Sequence, residues 1–517
     1  MGLIGITLAI AVFLASSSPV LSENILIKGG TVVNADRAFK ADVVVKGGLI
    51  EAVGPGLKAP KGAKVVDATG KYVMPGGIDP HTHLEFPFMG QVSNETFLSG
   101  ERAALAGGTT FHIDFALQWE GSLKKGLAEW KRKAQRAISD YGFHMAINKW
   151  TSETAAEMAE MVREGINSFK FFMAYKGALM VSDELFLDGL LACKKLGALP
   201  MVHGENGDAI ALAQKLTIEK GITGPEGHSI SRPSYLEGEA TGRAVKLARL
   251  LNVPLYVVHV MSKDAIEAIE EGHRAGQRLW GEAVAGAISL TDEPCWDPDF
   301  KIAAAHVISP PLRSREHQTA VKAALAGGSL QLIGTDHCGW NTTQKAVGRH
   351  DFRILPNGIH GIEERLHTAW EDLVNAGLIT PPDFVRLTSA EAAKIFNLYP
   401  QKGVIAAGSD ADIIVLDPSV THKISVATHH SSLDMNVFEG KTVHGKVTTT
   451  ISRGRLAWDG KDILLEPGSG RYVRMEPFAP HVYGGLDEQE KRWIGERFPY
   501  GPAPVKRVGD KPPRDEL

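Results

Sequence analysis

Cysteine is scarce: only Cys193, Cys295 and Cys338 occur in 517 residues. They are too few and too scattered for a disulfide framework or a thiolate metal site. Positive charge shows no excess either. Lysine and arginine total 56 against 60 aspartates and glutamates, the net charge is −4, and no basic run is present. That argues against a nucleic-acid partner. Glycine and proline, 55 and 27 residues, are spread along the chain, which suits many short loops rather than a disordered tract. What is there is an ordinary soluble composition, 44% hydrophobic and 22% charged. The length allows about three average domains, or one barrel with a satellite.

The two ends read as addresses. An apolar stretch from Leu3 to Ala15, then Val20-Leu21-Ser22, fits a cleavable signal peptide over residues 1–22. Its n-region has no Arg or Lys, so a retained signal anchor is the alternative. The chain closes on Arg514-Asp515-Glu516-Leu517, a near match to a retrieval signal. Together these predict the endoplasmic reticulum lumen, with no membrane span after cleavage. Sequons at Asn94 and Asn341 are then glycosylation candidates.

Short alternating β-branched runs with Gly-Gly turns fill Asn24–Val73, and similar material returns at Gly403–Trp458. We read them as one small β-sandwich domain in two parts, residues 23–75 and 401–465, split by an insertion. Across 76–400 strand-like runs alternate with amphipathic helices. Examples are GTTFHIDFA followed by a helix near Leu123–Tyr141, then INSFKFFMAY, LPMVHGEN and VPLYVVHV. The expectation is an α/β fold, a (β/α)8 TIM-like barrel with ligands gathered at the C-terminal strand ends. Residues 466–517 form a polar tail.

The chemistry begins in MPGGIDPHTHLEF. His81 and His83, two residues apart on a strand, point to one side and can reach one metal ion, with Asp79 near enough to orient a ligand. Lys170 lies inside an apolar run between Phe169 and Phe171. It either reaches a carboxylate across the barrel mouth or, desolvated and neutral, adds CO2 to become an anionic bridging ligand. His203 and His259 end apolar runs, as metal ligands or as buried neutral histidines. Asp336 ends LQLIGTD, where a carboxylate is costly without a metal or a donor. Four histidines, one lysine and one aspartate at strand ends suffice for two adjacent metal sites.

From about Asn24 to Arg474 the chain resembles the amidohydrolase superfamily, and within it the hydantoinase/dihydropyrimidinase family. The motifs that carry this include PGGIDPHTHLEFPFMG, SFKFFMAYKG, VHGENGD, YVVHVMS, SPPLR, GTDHCGWNTTQKAVG and ILPNGIHG, in order. The resemblance implies that His81, His83 and Asp336 bind the more buried metal and that His203 and His259 bind the other. It implies two Zn2+ per subunit, bridged by N6-carboxylated Lys170 and hydroxide. Tyr175 matches the tyrosine that hydrogen-bonds the developing oxyanion, and Ser309 and Asn357 match positions whose backbone holds a cyclic ureide. The implied reaction is hydrolytic ring opening of 5,6-dihydrouracil or dihydrothymine to N-carbamoyl-β-alanine or N-carbamoyl-β-aminoisobutyrate, a step of pyrimidine catabolism. In it, hydroxide attacks C4 and Asp336 carries the proton to the leaving nitrogen. A homotetramer, with the C-terminal arm reaching a neighbouring subunit, is implied as well.

Three other readings are weighed. A dihydroorotase-type enzyme needs an arginine where Glu85 stands, and that charge repels an acidic substrate. A hydantoinase presents the same imide to the same groups. A non-catalytic relative of the collapsin-response mediator kind has lost ligands, whereas every ligand position here is filled. Phe86, Phe88 and Met89 are read as an apolar lid over the ring. His112, His144, His337, His360, His429 and His430 are read as structural, and the stretch GEAVAG at 281–286 as loose for a strand end.

Overall fold

A computed structural model describes residues 23–497. The chain opens with β1 (Ile25–Val33), β2 (Ala38–Lys46), β3 (Leu49–Gly54), β4 (Lys64–Asp67) and β5 (Tyr72–Pro75). Next come β6 (Gly77–Thr82) and a small ribbon, β7 (Pro87–Phe88) and β8 (Gln91–Val92). Seven strands alternating with helices follow. They are β9 (Thr109–Leu117), β10 (Asp140–Ile147), β11 (Ser168–Phe172), β12 (Leu199–His203), β13 (Leu255–Val257), β14 (Leu279–Val284) and β15 (Leu332–Gly334). Last are β16 (Ile413–Lys423), β17 (Thr442–Ser452), β18 (Arg455–Trp458) and the short β19 (Arg471–Tyr472).

Strands β6 and β9–β15 form an eight-stranded parallel sheet in the order β15-β14-β13-β12-β11-β10-β9-β6. Its two edges nearly close. Arg365, fully buried, donates to Ile78 O and Ile333 O at 2.9 Å, and Thr335 Oγ1 donates to Asp79 Oδ2 at 2.6 Å. At the top of the seam His83 N donates to His337 O at 2.8 Å. The result is the expected α/β barrel. Its interior is a packed core that includes Ile78, Phe111, Ile113, Met201, Tyr256 and Trp280.

The smaller domain differs in detail from two separate stacked sheets. Its strands join into one mixed sheet, β18-β17-β16-β5-β1-β2-β3, with β4 also on β1. Strand β1 pairs with β4 through Ile25–Lys28 and with β5 through Thr31 and Val32. The switch falls at Gly29-Gly30, where Gly29 has φ +76° and a Cβ on Gly30 would lie 2.5 Å from Val73 Cγ2. A bridge between Leu49 and Asp410 ties the far edge to the run into β16, so the sheet wraps a core of its own that includes Ile27, Val43, Val73, Ile413 and Ile451.

Two local expectations need correction. The helix expected through Tyr141 ends at Lys133, and β10 begins at Asp140. Glu101, buried, takes the backbone N–H groups of Ile138 and Ser139, which commits that segment to a turn. The described part of the tail folds onto its own barrel instead of extending away. β19 pairs with β10, and Val473, Met475, Val482 and Tyr483 join the interior core. No helix among the described residues is long and apolar enough to cross a membrane.

Candidate active site

The sequence-predicted residues converge at the C-terminal mouth of the barrel. His81 lies in β6 and His83 just beyond it, Lys170 in β11, and His203 ends β12. His259 and Asp336 follow β13 and β15 by two residues each. Several residues here adopt positive φ despite side chains: Tyr175 (+64°), His259 (+35°) and Asp336 (+52°). Each such conformation costs about 1–3 kcal/mol and persists only where surrounding contacts enforce it.

Asp336 Oδ1 lies 3.0 Å from His81 Nε2 and 3.0 Å from His83 Nε2. The ligand atoms of these three buried residues all fall within 4.8 Å of one another. An imidazole lone pair facing a carboxylate oxygen is repulsive unless a proton or a metal cation lies between them. Two imidazoles and a carboxylate also form a donor set suited to zinc, so the residues fit the metal. His83 is held down at about 3, burial being the main cause, and keeps a buried Nδ1 with no partner. Burial also depresses His259 well below the ordinary histidine range and lowers His203. For Asp336 burial works upward, but the His81 and His83 rings outweigh it and hold the carboxylate well below its usual range.

Lys170 is 1% exposed, with Nζ 3.0 Å from His81 Nε2 and 4.2 Å from the Phe115 ring centre. Burial pushes its ammonium down to about 8. Its amine is thus far easier to neutralise than an exposed lysine's, as the carboxylation chemistry requires. His203 and His259 stand edge to face at 4.5 Å between ring centres, next to this lysine.

A small cavity opens above these groups. His83, Lys170, Tyr175, His203, His259, Ser309, Asp336 and Asn357 all line it, and His81 lies directly behind Lys170. Tyr175 is pushed up to about 12, chiefly by burial, so its phenol stays a donor at any physiological pH. Phe86 and Phe88 line the cavity, but Met89 does not; it is 36% exposed and belongs to the outer vestibule. Glu85 is also outside the lining, with its carboxylate accepting from Phe97 N at 3.3 Å. Its charge therefore does not face a bound substrate, and among the described residues no arginine lines the cavity to hold an acidic one.

Sequence reasoning missed the residue that orients His81. Glu282, fully buried in β14, accepts from His81 Nδ1 at 2.6 Å, from the Tyr256 hydroxyl at 2.6 Å and from His259 N at 3.0 Å. The stretch thought loose is thus a regular strand carrying a carboxylate that holds two of the candidate ligands. Its signal was legible as a lone glutamate inside LWGEAV. Asp79, by contrast, works through the backbone, accepting from His81 N and from Thr335. Glu205 plays the Glu282 part for His203, bonding Nε2 at 2.8 Å while Arg232 pairs with it at 2.7 Å. That leaves His203 Nδ1 as the ring nitrogen available to a metal. His337 is not a ligand: its Nε2 meets Glu95 at 2.7 Å. The other buried acidic cluster, Asp140, Asp410 and Asp412, surrounds Lys402 Nζ at 2.8, 3.1 and 2.5 Å. There an ammonium takes the place a metal would need.

The amidohydrolase family model matches residues 72–457, three quarters of the chain. The chain belongs to the amidohydrolase family. Among its relatives, a dihydropyrimidinase of Arabidopsis thaliana is 52% identical over 95% of this chain and 92% of its own. A D-hydantoinase of Geobacillus stearothermophilus is 44% identical over 87% of this chain and 96% of its own. The crystal structure of a dihydropyrimidinase from Brevibacillus agri NCHU1002 superposes with a TM-score of 0.86 at 44% identity, covering 88% of this chain and 99% of that one.

One expectation about this amidohydrolase is overturned. Placement in the endoplasmic reticulum lumen does not stand, because its homologues named dihydropyrimidinase are generally cytosolic enzymes. The segments that suggested the lumen, residues 1–22 and the terminal Arg-Asp-Glu-Leu, lie outside the described residues. The sequon asparagines serve the fold: Asn341 Oδ1 caps the helix Thr342–Lys345, and Asn94 Nδ2 reaches Ser432.

Proposed function

We propose that this chain is a cyclic-amide hydrolase, a dihydropyrimidinase that opens 5,6-dihydrouracil and dihydrothymine by hydrolysis. One observation carries the reading. Eight of the nine residues singled out from the sequence line a single cavity, with His81 behind Lys170, at the mouth of an amidohydrolase barrel whose relative, 52% identical, is named dihydropyrimidinase. In this reading His81, His83 and Asp336 would hold one zinc and His203 and His259 a second, with Lys170, once carboxylated, completing the ligand set. Bound zinc lowers the pKa of water toward neutrality and polarises a carbonyl.

The protein's own groups do the rest. Backbone groups of Ser309 and Asn357 hold the ureide, and Phe86, Phe88 and Phe172 exclude bulk water around it. As C4 becomes tetrahedral, the Tyr175 phenol donates to its oxygen, an interaction strongest when charge has developed. Asp336 accepts a proton from the attacking water and passes it to N3, so the C4–N3 bond breaks to a carboxylate and a free ureido NH2.

Hydantoin is the competing substrate, favoured by the D-hydantoinase relative. The test is turnover of dihydrouracil and hydantoin by zinc-loaded protein, before and after chelation and zinc restoration, beside Lys170→Ala. Zinc-dependent turnover that prefers dihydrouracil and vanishes in the variant is expected. Preference for hydantoin reassigns the substrate, and no turnover of either by folded, zinc-loaded protein overturns the reading.

The domain division we propose remains 23–75 with 401–465, 76–400, and 466–517. We propose a homotetramer as well, supported by exposed Leu212, Leu216, Ile230 and Tyr235 on the three consecutive helices Gly207–Glu219, Glu226–Ile230 and Ser234–Leu250. Light scattering in solution tests it.

A further inference from the structure

We infer that Lys345 is a positioning residue: its side chain clamps together the two backbone segments, 307–309 and 357–358, that face the substrate. The inference rests on the functional reading for what those segments hold, but not for the clamp itself. Lys345 ends the helix Thr342–Lys345 and is 2% exposed. Its Nζ donates to Val307 O at 3.0 Å and to Gly358 O at 2.8 Å. Gly358 N donates in turn to Val307 O at 3.0 Å, so an ammonium and an amide staple the same pair of segments. Ile308, Ser309, Asn357 and Gly358 all line the catalytic cavity.

Neighbouring groups hold the outer sides. His228 Nε2 meets Ile308 O at 2.9 Å, and the Trp340 indole donates to Asn357 O at 3.0 Å. Gly358 has φ +138°, and a Cβ there would lie 2.6 Å from Cys338 O, so this segment already runs as close to its neighbour as backbone permits. Among the described residues no carboxylate pairs with Lys345. A buried lysine held only by carbonyls, its ammonium pushed down to about 7 by burial, is a poor device for stability, since an apolar side chain of equal length would avoid its desolvation. What such a chain cannot do is hold two carbonyls at a set distance. The Lys345 amine, which donates to both carbonyls, therefore serves geometry at the cavity wall, where a shift of about 1 Å is expensive for catalysis.

Zinc-loaded, full-length wild type and Lys345→Met are compared by steady-state hydrolysis of dihydrouracil and by amide hydrogen exchange. Loss of charged hydrogen bonds to the substrate-holding segments should raise KM about tenfold, with kcat changing less than about threefold. Exchange in 307–309 and 357–358 should quicken, with β11 and β12 unaffected. Lys345→Gln, which keeps one donor, should fall between, and it replaces the methionine variant if that fails to fold. Unchanged exchange at 357–358, or unchanged KM in a folded, zinc-loaded variant, overturns the clamp. A wild type inert toward dihydrouracil and hydantoin overturns the functional reading instead, and the exchange comparison then decides the clamp alone.

Discussion

Glu282→Gln is the most informative single change. The carboxylate is fully buried and receives three donors, from His81, Tyr256 and His259. Alanine would strand all three at about 1–3 kcal/mol each, comparable to the whole stability of a domain, and would report only unfolding. Glutamine keeps the shape. Its carbonyl replaces Oε1 and still accepts from His81 Nδ1 and His259 N, while its amide replaces Oε2 and the Tyr256 hydroxyl rotates to accept. Only the charge is lost. Hydrogen bonds to a charged group are worth about 1.5–3 kcal/mol against about 0.5–1.5 for neutral ones, so the folding cost should be about 2 kcal/mol before relief of desolvation. The larger effect falls on the metal, because removing a partner of this kind weakens binding by about 10–100-fold. Titration of zinc against a graded chelator series, with thermal melting alongside, measures both quantities. Zinc affinity and turnover equal to wild type would refute the assignment of Glu282 as the group that orients His81.

Two further predictions concern groups in the cavity. Tyr175→Phe should lower kcat about 10²–10³-fold with little change in KM, since the phenol acts on charge that develops only in the transition state; equal effects on both constants would reduce it to a substrate contact. For Lys170, held at about 8 by burial, the neutral amine needed for carboxylation grows as pH rises toward that value. Reconstitution of chelated protein with zinc, at a dissolved CO2 concentration held constant across the pH series, should therefore quicken about tenfold per pH unit below 8 and level off above it. The stability sign agrees: unfolded protein binds the extra proton between pH 8 and the ordinary lysine value of about 10.4, so this group makes stability rise with pH across that window. A reconstitution rate flat from pH 6 to 8 would dismiss the carbamate.

The barrel, the split β-domain and the candidate ligand residues were legible along the chain. Strand-ending histidines at 81, 83, 203 and 259, with Asp336, are legible because a polar group at the end of an apolar run is costly without a partner. What only the tertiary structure decided is which groups serve those residues. Glu282 reaches His81 across 201 positions of chain, and Lys345 reaches Gly358 across 13 and Val307 across 38. Such partners contribute one atom at one place, leave no pattern along the chain, and come within bonding distance only when the barrel closes. The tail's course over its own barrel, the merged sheet at Gly29-Gly30 and the lysine among three aspartates depend likewise on long-range packing. Local periodicity records which face of an element is buried; it does not record what lies opposite.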